Sequence, residues 1–302
     1  MTIAAIEAGG TKFVAGLLRI DGSGSAPPIV LARCEIPTTV PRETLAAVSS
    51  FFLKSAAEHG SPDSIGIGCF GPVDIKHASP TWGRITSTPK PGWKGADIAG
   101  YFQNALSAPV AFDTDVNAAA YGEYLWGGAR GLRDFIYLTI GTGIGGGVFS
   151  NGSLVHGLSH PELGHLKLAR EANDDYPGRC PYHHDCFEGL ASGPAIADRW
   201  ATNPKELGND HPAWELEARY VARAIAAYSF VLSPERILIG GGIGMRPGLV
   251  ERVRVLLVEE LAGYLLPLTD SGKITHFVDR PALGSDAGLF GAGGIALRFS
   301  AE

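Results

Sequence analysis

An α/β fold is predicted by two patterns in this chain. Apolar strand-like runs alternate with helical stretches, and a glycine-rich turn between two strands occurs once in each half. The alternation argues for sheets covered by helices, and the recurring turn hints at two related domains.

The elements follow in order. IAAIEA and FVAGLLRI flank a Gly-Gly-Thr turn and read as a hairpin. PRETLAAVSSFFLKSAAEHG has Pro at its start, Gly at its end and apolar residues at helical spacing, which predicts a helix. SIGIGCF reads as a buried strand and PVAFDTD as another short one. DVNAAAYGEYLWGG opens on a capping Asp and closes on glycines, so a helix is expected. DFIYLTIGTGIGGGVF then starts a second strand–turn–strand unit. Later come a long helix around HPAWELEARYVARAIAAYSFVL, the strand RILIGGG and the helix PGLVERVRVLLVEELAGYL. A strand ITHFV and a final helix SDAGLFGAGGIALRF complete the pattern.

At 302 residues the chain can build one large domain or two medium ones. Hydrophobic residues make up 45% and charged ones 19%, which excludes a disordered chain. The net charge of −6 offers no footprint for nucleic acid or an anionic membrane. No apolar run approaches the roughly 18 residues a membrane helix needs. MTIAAIEAGGTKF has no basic n-region and no cleavage site, so a cytoplasmic protein is expected. Cys34 and Cys69 fall in strand-like runs and read as buried thiols. Cys180 and Cys186 sit in a polar loop, where a reducing compartment favours metal over a disulfide.

The glycine turns carry the candidate chemistry. EAGGTK (Glu7 to Lys12) and TIGTGIGGG (Thr139 to Gly147) each follow an apolar strand and precede another. Side-chain-free turns let consecutive backbone N–H groups converge on an anion, with Thr hydroxyls adding donors. A third turn, IGGGIG (Ile239 to Gly244), ends a strand before a helix, whose N-terminus favours a nucleotide. Any one of them reads equally well as a plain tight turn among 41 glycines, but three at strand ends argue for phosphate binding. The pattern is neither a Walker P-loop nor the compact dinucleotide fingerprint.

In FDTDVNAAA, Asp113 and Asp115 fall at the end of a strand and the start of a helix. Either serves as an N-cap or as a base accepting the proton of a substrate hydroxyl. GRCPYHHDCFEG packs two cysteines and two histidines into seven residues with the spacing C-x2-H-x2-C, half of a metal site. His165, fifteen positions before Cys180, is the candidate remaining ligand. Trp82, Trp93 and Trp126 are expected in the core, Lys76, His77 and Arg84 in a solvated loop, and Asn173 to Asp175 in an exposed excursion.

Together Gly9-Gly10-Thr11-Lys12, GPVD, PGWKG, DTDVNAAA, GTGIGGG, HPELGH, CPYHHDCFEG, SGPAI and GGGIG carry a likeness that spans essentially the whole length. The chain resembles the ROK family of sugar kinases, within the hexokinase–actin–heat-shock-chaperone ATPase superfamily, and is most similar to its bacterial fructokinase branch. That resemblance implies a two-lobed actin-like ATPase (ribonuclease H-like) fold with the active site in the interdomain cleft. The lobes would be residues 1–116 plus about 285–302, and 117–284 with a zinc loop at 165–186. It implies ATP-dependent phosphorylation of D-fructose to fructose 6-phosphate, with mannose as a second substrate. A glucokinase or mannokinase, or a sugar-sensing regulator, is the alternative. The regulators carry an N-terminal helix-turn-helix extension, whereas here the first phosphate motif begins within ten residues of Met1.

By the same resemblance Asp115 is the catalytic base, and Glu162, His165, Glu188, Thr114, Gly71 and Pro72 surround the sugar. Gly9, Gly10, Thr11 and Lys12, with Thr139, Gly141, Thr142, Gly143, Gly193, Pro194, Gly241 and Gly242, would bind ATP. His165, Cys180, His183 and Cys186 would hold Zn2+, with His183 preferred to His184 by its family position. A closed set of two thiolates and two neutral imidazoles suits structural zinc. Mg2+ would accompany ATP, and the protein would be a homodimer. The chain departs from the family in having Glu7 where Asp is usual and Thr114 where many relatives carry Asn. Its cluster reads C-P-Y-H-x2-C rather than C-x-C-G-x2-G-C, a variant shared with the fructokinase branch.

Overall fold

The computed structural model describes residues 1–21 and 23–299. The chain divides into two units. The first takes Met1–Gly131, Leu154–His160 and the described chain from Ala282; the second takes Leu132–Ser153 and Pro161–Pro281.

The first unit carries β1 (Thr2–Ala8), β2 (Lys12–Arg19), β3 (Ile29–Pro37), β4 (Ser64–Cys69) and β5 (Val110–Thr114), in the order β3-β2-β1-β4-β5. β2 runs antiparallel to β1 and β3, while β1, β4 and β5 are parallel. Its helices are α1 (Pro41–His59), α2 (Ala99–Leu106), α3 (Asp115–Trp126) and, from the far end of the chain, α10 (Ala287–Phe299).

The second unit carries β6 (Phe135–Ile140), β7 (Ile144–Ser150), β9 (Arg236–Gly240) and β10 (Val278–Asp279). The two-residue β8 (Ser153–Leu154) ends that sheet, where the chain returns to the first unit. Its helices are α4 (Phe187–Ala191), α5 (Gly193–Trp200), α6 (Ala213–Leu232), α7 (Gly241–Gly244), α8 (Leu249–Leu261) and α9 (Ser271–Phe277). Its strand order β8-β7-β6-β9-β10 repeats that of the first sheet, with one antiparallel hairpin followed by parallel strands. Two of the three glycine turns of the sequence are the equivalent β1–β2 and β6–β7 hairpin turns, and the third joins β9 to α7.

Successive residues face opposite sides of a strand, so β1, covered on both faces, is apolar from Ile3 to Ile6. Ala4, Ile6 and Ala8 enter one core with Phe52, Trp93 and Phe102. Ile3 and Ala5 enter the core on the other face with Leu289 and Ala292 of α10. Each large side chain so buried contributes about 1.5–3 kcal/mol. α10 lies directly on α3 and β4 because side chains are missing at the contacts. A Cβ on Gly291 would stand 1.6 Å from the Ala118 carbonyl oxygen, and one on Gly66 1.8 Å from that of Ala292. Glu123 of α3 is fully buried and accepts from Gly128, Ala282 and Leu283 N–H at 2.6, 3.0 and 2.8 Å. That carboxylate anchors the point where the chain re-enters the first unit.

Several expectations are revised. The unit boundary falls after Gly131 rather than 116, because α3 packs on α10 and β4. The return begins at Ala282, and residues 300–302 of the expected first lobe lie outside the described residues. ITHFV is helical through Phe277, since Asp270 caps α9 by accepting from Gly272 N–H at 2.7 Å. Thr114, not Asp115, caps α3. Cys34 is only half-buried. Asp174 is no exposed excursion: its carboxylate pairs with Arg199 at 3.1 Å and accepts from the Tyr220 hydroxyl at 2.5 Å.

Candidate active site

In the first unit the β1–β2 turn closes with Gly9 N–H donating to the Lys12 carbonyl at 3.0 Å. The Thr38 hydroxyl donates to the Gly9 carbonyl at 2.7 Å and holds the turn from β3's side. Gly10 has open space where a Cβ would stand. Lys12, beside Thr11, extends to an exposed ion pair with Glu35 at 2.7 Å. Glu7 of β1 lies under the start of α10, where a Cβ on Gly288 would meet its Cδ at 2.4 Å. Burial, and then the charge of Asp115, push Glu7 up to about 7.

Asp115 is the first residue of α3, and its Oδ1 accepts from Val116 N–H at 2.9 Å. Burial pushes its carboxyl up to about 6, so it is ionised near neutrality yet basic enough to take a proton. The Thr114 hydroxyl is occupied, accepting from Asn117 N–H at 3.1 Å. The neighbouring loop holds a cis Gly71–Pro72 bond, and the Pro72 carbonyl accepts from Thr86 N–H at 2.8 Å.

The second unit builds a cavity of about 820 Å³ at the end of its strands. Gly141, Thr142, Gly193, Pro194 and Gly242 line it, joined by Trp214 and Arg246, which the sequence did not single out. Gly193 N–H donates to the Gly141 carbonyl at 2.7 Å, which seats the start of α5 against the β6–β7 turn. The Arg246 guanidinium lies 3.7 Å over the Trp214 ring, closing the apolar side. Gly241 has φ +84°, and a Cβ there would stand 2.4 Å from the Ile140 carbonyl oxygen. Backbone turns at one end and apolar walls at the other suit a ligand with a phosphate tail and a flat base. Thr139 is set back within β6. Gly143 faces Glu188 instead, whose Oε2 accepts from Ile144 N–H at 2.9 Å.

HPELGH forms a turn at Leu163–His165 that packs on β7, because a Cβ on Gly164 would stand 2.0 Å from the Ile144 carbonyl oxygen. Glu162 is exposed at its start. His165, Cys180, His183 and Cys186 converge, with one donor atom from each lying within 4.8 Å of all the others. His165 Nδ1 stands 3.7 Å from Cys180 Sγ and 3.6 Å from Cys186 Sγ, and His183 Nδ1 3.7 Å from Cys180 Sγ. Bonds of about 2.0–2.3 Å at tetrahedral angles put donors roughly 3.5 Å apart, so the set fits zinc. The paired backbone bonds between Cys180 and His184 fold the intervening Pro-Tyr-His turn inward at His183. His184 stands outside the group of four.

The chain matches the ROK family over residues 3–298. A Bacillus subtilis protein is 44% identical over 95% of this chain and 92% of its own. The fructokinase of Zymomonas mobilis is 41% identical over 97% of this chain and 95% of its own. The solved ROK hexokinase of Thermus thermophilus superposes with a TM-score of 0.78 at 28% identity, covering all of both chains.

Proposed function

The chain belongs to the ROK family, and from that premise we propose that it is an ATP-dependent hexose kinase acting on D-fructose to give fructose 6-phosphate. The observation that carries this reading is the near full-length likeness, at 36–44% identity, to relatives that include fructokinases. Each required part has candidate residues. Asp115 accepts the proton of the C6 hydroxyl as that oxygen bonds to the γ-phosphorus, and the bond from phosphorus to the ADP oxygen breaks. Thr142, Gly193 and Gly242 hold the nucleotide in the second unit's cavity. Gly9, Gly10, Thr11 and Lys12 serve the phosphates from the first unit. Mg2+ supplies neutralisation of phosphate charge.

Glu162, His165 and Glu188 grip sugar hydroxyls, and mannose is the second substrate. His165, Cys180, His183 and Cys186 hold a structural zinc ion, which supplies cross-linking rather than Lewis-acid chemistry because all four positions are protein donors. With Nδ1 of His165 directed at the thiols, Nε2 is the atom left to donate to the sugar. The protein works as a homodimer in the cytoplasm; among the described residues no helix is long and apolar enough to cross a membrane.

ADP release measured with fructose, mannose and glucose tests the reading. Fructose should give the highest kcat/KM, and Asp115→Asn should lower kcat by ~10²- to 10⁴-fold. No sugar-dependent ADP release would remove the kinase assignment, and near-normal turnover of Asp115→Asn would remove the base.

A further inference from the structure

We propose that His156 is a positioning residue for phosphoryl transfer, acting through Asp113 on the turn that carries Asp115; the inference rests on Asp115 being the base. His156 lies in the segment Leu154–His160, which belongs to the first unit. Its Nε2 stands 2.9 Å from Oδ2 of Asp113. A carboxylate only accepts hydrogen bonds, so Nε2 carries the proton and the imidazole donates. The 3.3 Å approach of Asn117 Nδ2 to the same nitrogen is then a neighbour contact between two donors that share one acceptor group.

Asp113 itself is 6% exposed, on the last turn-facing residues of β5. Its Oδ1 accepts from Thr114 N–H at 2.7 Å and from Asn117 Nδ2 at 2.7 Å. With His156 on Oδ2, three donors satisfy a buried charge that would otherwise be costly. This occupancy also decides between the two aspartates of the DTD motif. Asp113 is an orienting group with its oxygens committed, and Asp115 is the group left to accept a proton.

The consequence is local and geometric. Thr114 and Asn117 are both tied to Asp113, and Thr114 Oγ1 also takes Asn117 N–H at 3.1 Å. Asp115 lies between these two fixed points, so the backbone that carries its carboxyl is held by the same network. His156 holds the outer end. It sits above its ordinary range because of its hydrogen bond to Asp113, against the opposing effects of burial and Arg298. Its side chain is 42% exposed, so it adds little to the apolar core and its removal disturbs orientation more than folding. Misplacing a reacting group by an ångström costs up to roughly 10²-fold, and a loosened turn costs less.

Steady-state kinetics of four proteins test this: the parent, His156→Ala, His156→Gln and His156→Ala combined with Asp115→Asn. In His156→Ala, kcat should fall about tenfold with KM for fructose and ATP within about twofold, a partial loss of positioning. Because the site is half-exposed, added imidazole should restore turnover, or Gln, which keeps a donor, should retain it. On the Asp115→Asn background, His156→Ala should cost nothing further, since its partner in catalysis is gone. Turnover of His156→Ala within twofold of the parent overturns the proposal. So does a loss rescued by neither imidazole nor Gln, or a full tenfold loss on the Asp115→Asn background. Failure of the base assignment would show separately, as near-parental turnover in Asp115→Asn alone.

Discussion

Placing one methyl group on the β6–β7 turn separates the two halves of the proposed site. In Gly143→Ala the new Cβ would stand 2.7 Å from Oε2 of Glu188, against an ordinary contact of 3.4 Å or more. The carboxylate is the mobile partner and retreats by about 0.7 Å. Its hydrogen bond from Ile144 N–H then stretches from 2.9 Å to about 3.6 Å, beyond bonding range. A hydrogen bond to a charged group contributes ~1.5–3 kcal/mol, which converts to about a 10- to 150-fold weakening if the sugar depends on that carboxylate's position. Gly242→Ala is the matched control: a Cβ there meets nothing within 4 Å, yet Gly242 lines the nucleotide cavity. Calorimetric titration with fructose, alongside KM for ATP in a coupled assay, reads both effects. Gly143→Ala should lose fructose affinity, and Gly242→Ala should raise the KM for ATP while binding fructose normally. Parental fructose affinity in Gly143→Ala would refute the placing of Glu188 at the sugar.

Further outcomes follow from other parts of the molecule. With fructose and ATP saturating, turnover should fall tenfold per pH unit as the pH drops well below about 6, because Asp115 must be unprotonated to accept a proton; a flat profile down to pH 5 would exclude that role. Removing metal with a chelator, or Cys180→Ser, should lower Tm and fructose affinity while affecting ATP less, with metal analysis of the untreated protein giving about one zinc per chain; full activity without detectable zinc would contradict the metal assignment. Glu217 of α6 is 1% exposed with neither oxygen partnered among the described residues, and burial raises it well above the ordinary carboxylate range. The folded state therefore keeps a proton that the unfolded state releases, stability declines as pH rises, and the Tm advantage of Glu217→Gln should grow from pH 5 to pH 8; an advantage independent of pH would argue against a retained proton.

Much of this was legible in local sequence and some was not, for reasons that particular residues make clear. The hairpin turns at Gly9 and Gly141 announced themselves, since tight turns between apolar runs need glycine whatever lies around them. The strand β3 was passed over because Ile29–Pro37 mixes exposed residues with charged Arg33 and Glu35, as an edge strand does. ITHFV has strand-like composition, yet Asp270 four positions earlier starts a helix that its β-branched residues cannot veto. Spacing placed the four candidate zinc donors, because three of them lie within one short loop. Trp214 and Arg246 sit far apart in sequence and meet at the cavity only through packing. The contact of His156 with Asp113 joins residues 43 positions apart, and the sequence carries no periodic or motif signal for it.

The discontinuous first unit has a consequence for how the protein is made. During synthesis β1 and β4 leave the ribosome early, but the helix that covers their second face is α10, more than two hundred residues later. Until then Ile3, Ala5 and the small-residue face of α3 have no permanent cover. The nascent chain therefore carries an exposed apolar surface until α10 is made, a natural substrate for chaperones. The second unit, once its inserted span is complete, can close its own sheet first. Clearing β4, α3 and α10 of side chains at their contacts, which brings α3 so close to the sheet, thus makes completion of the first unit wait for α10.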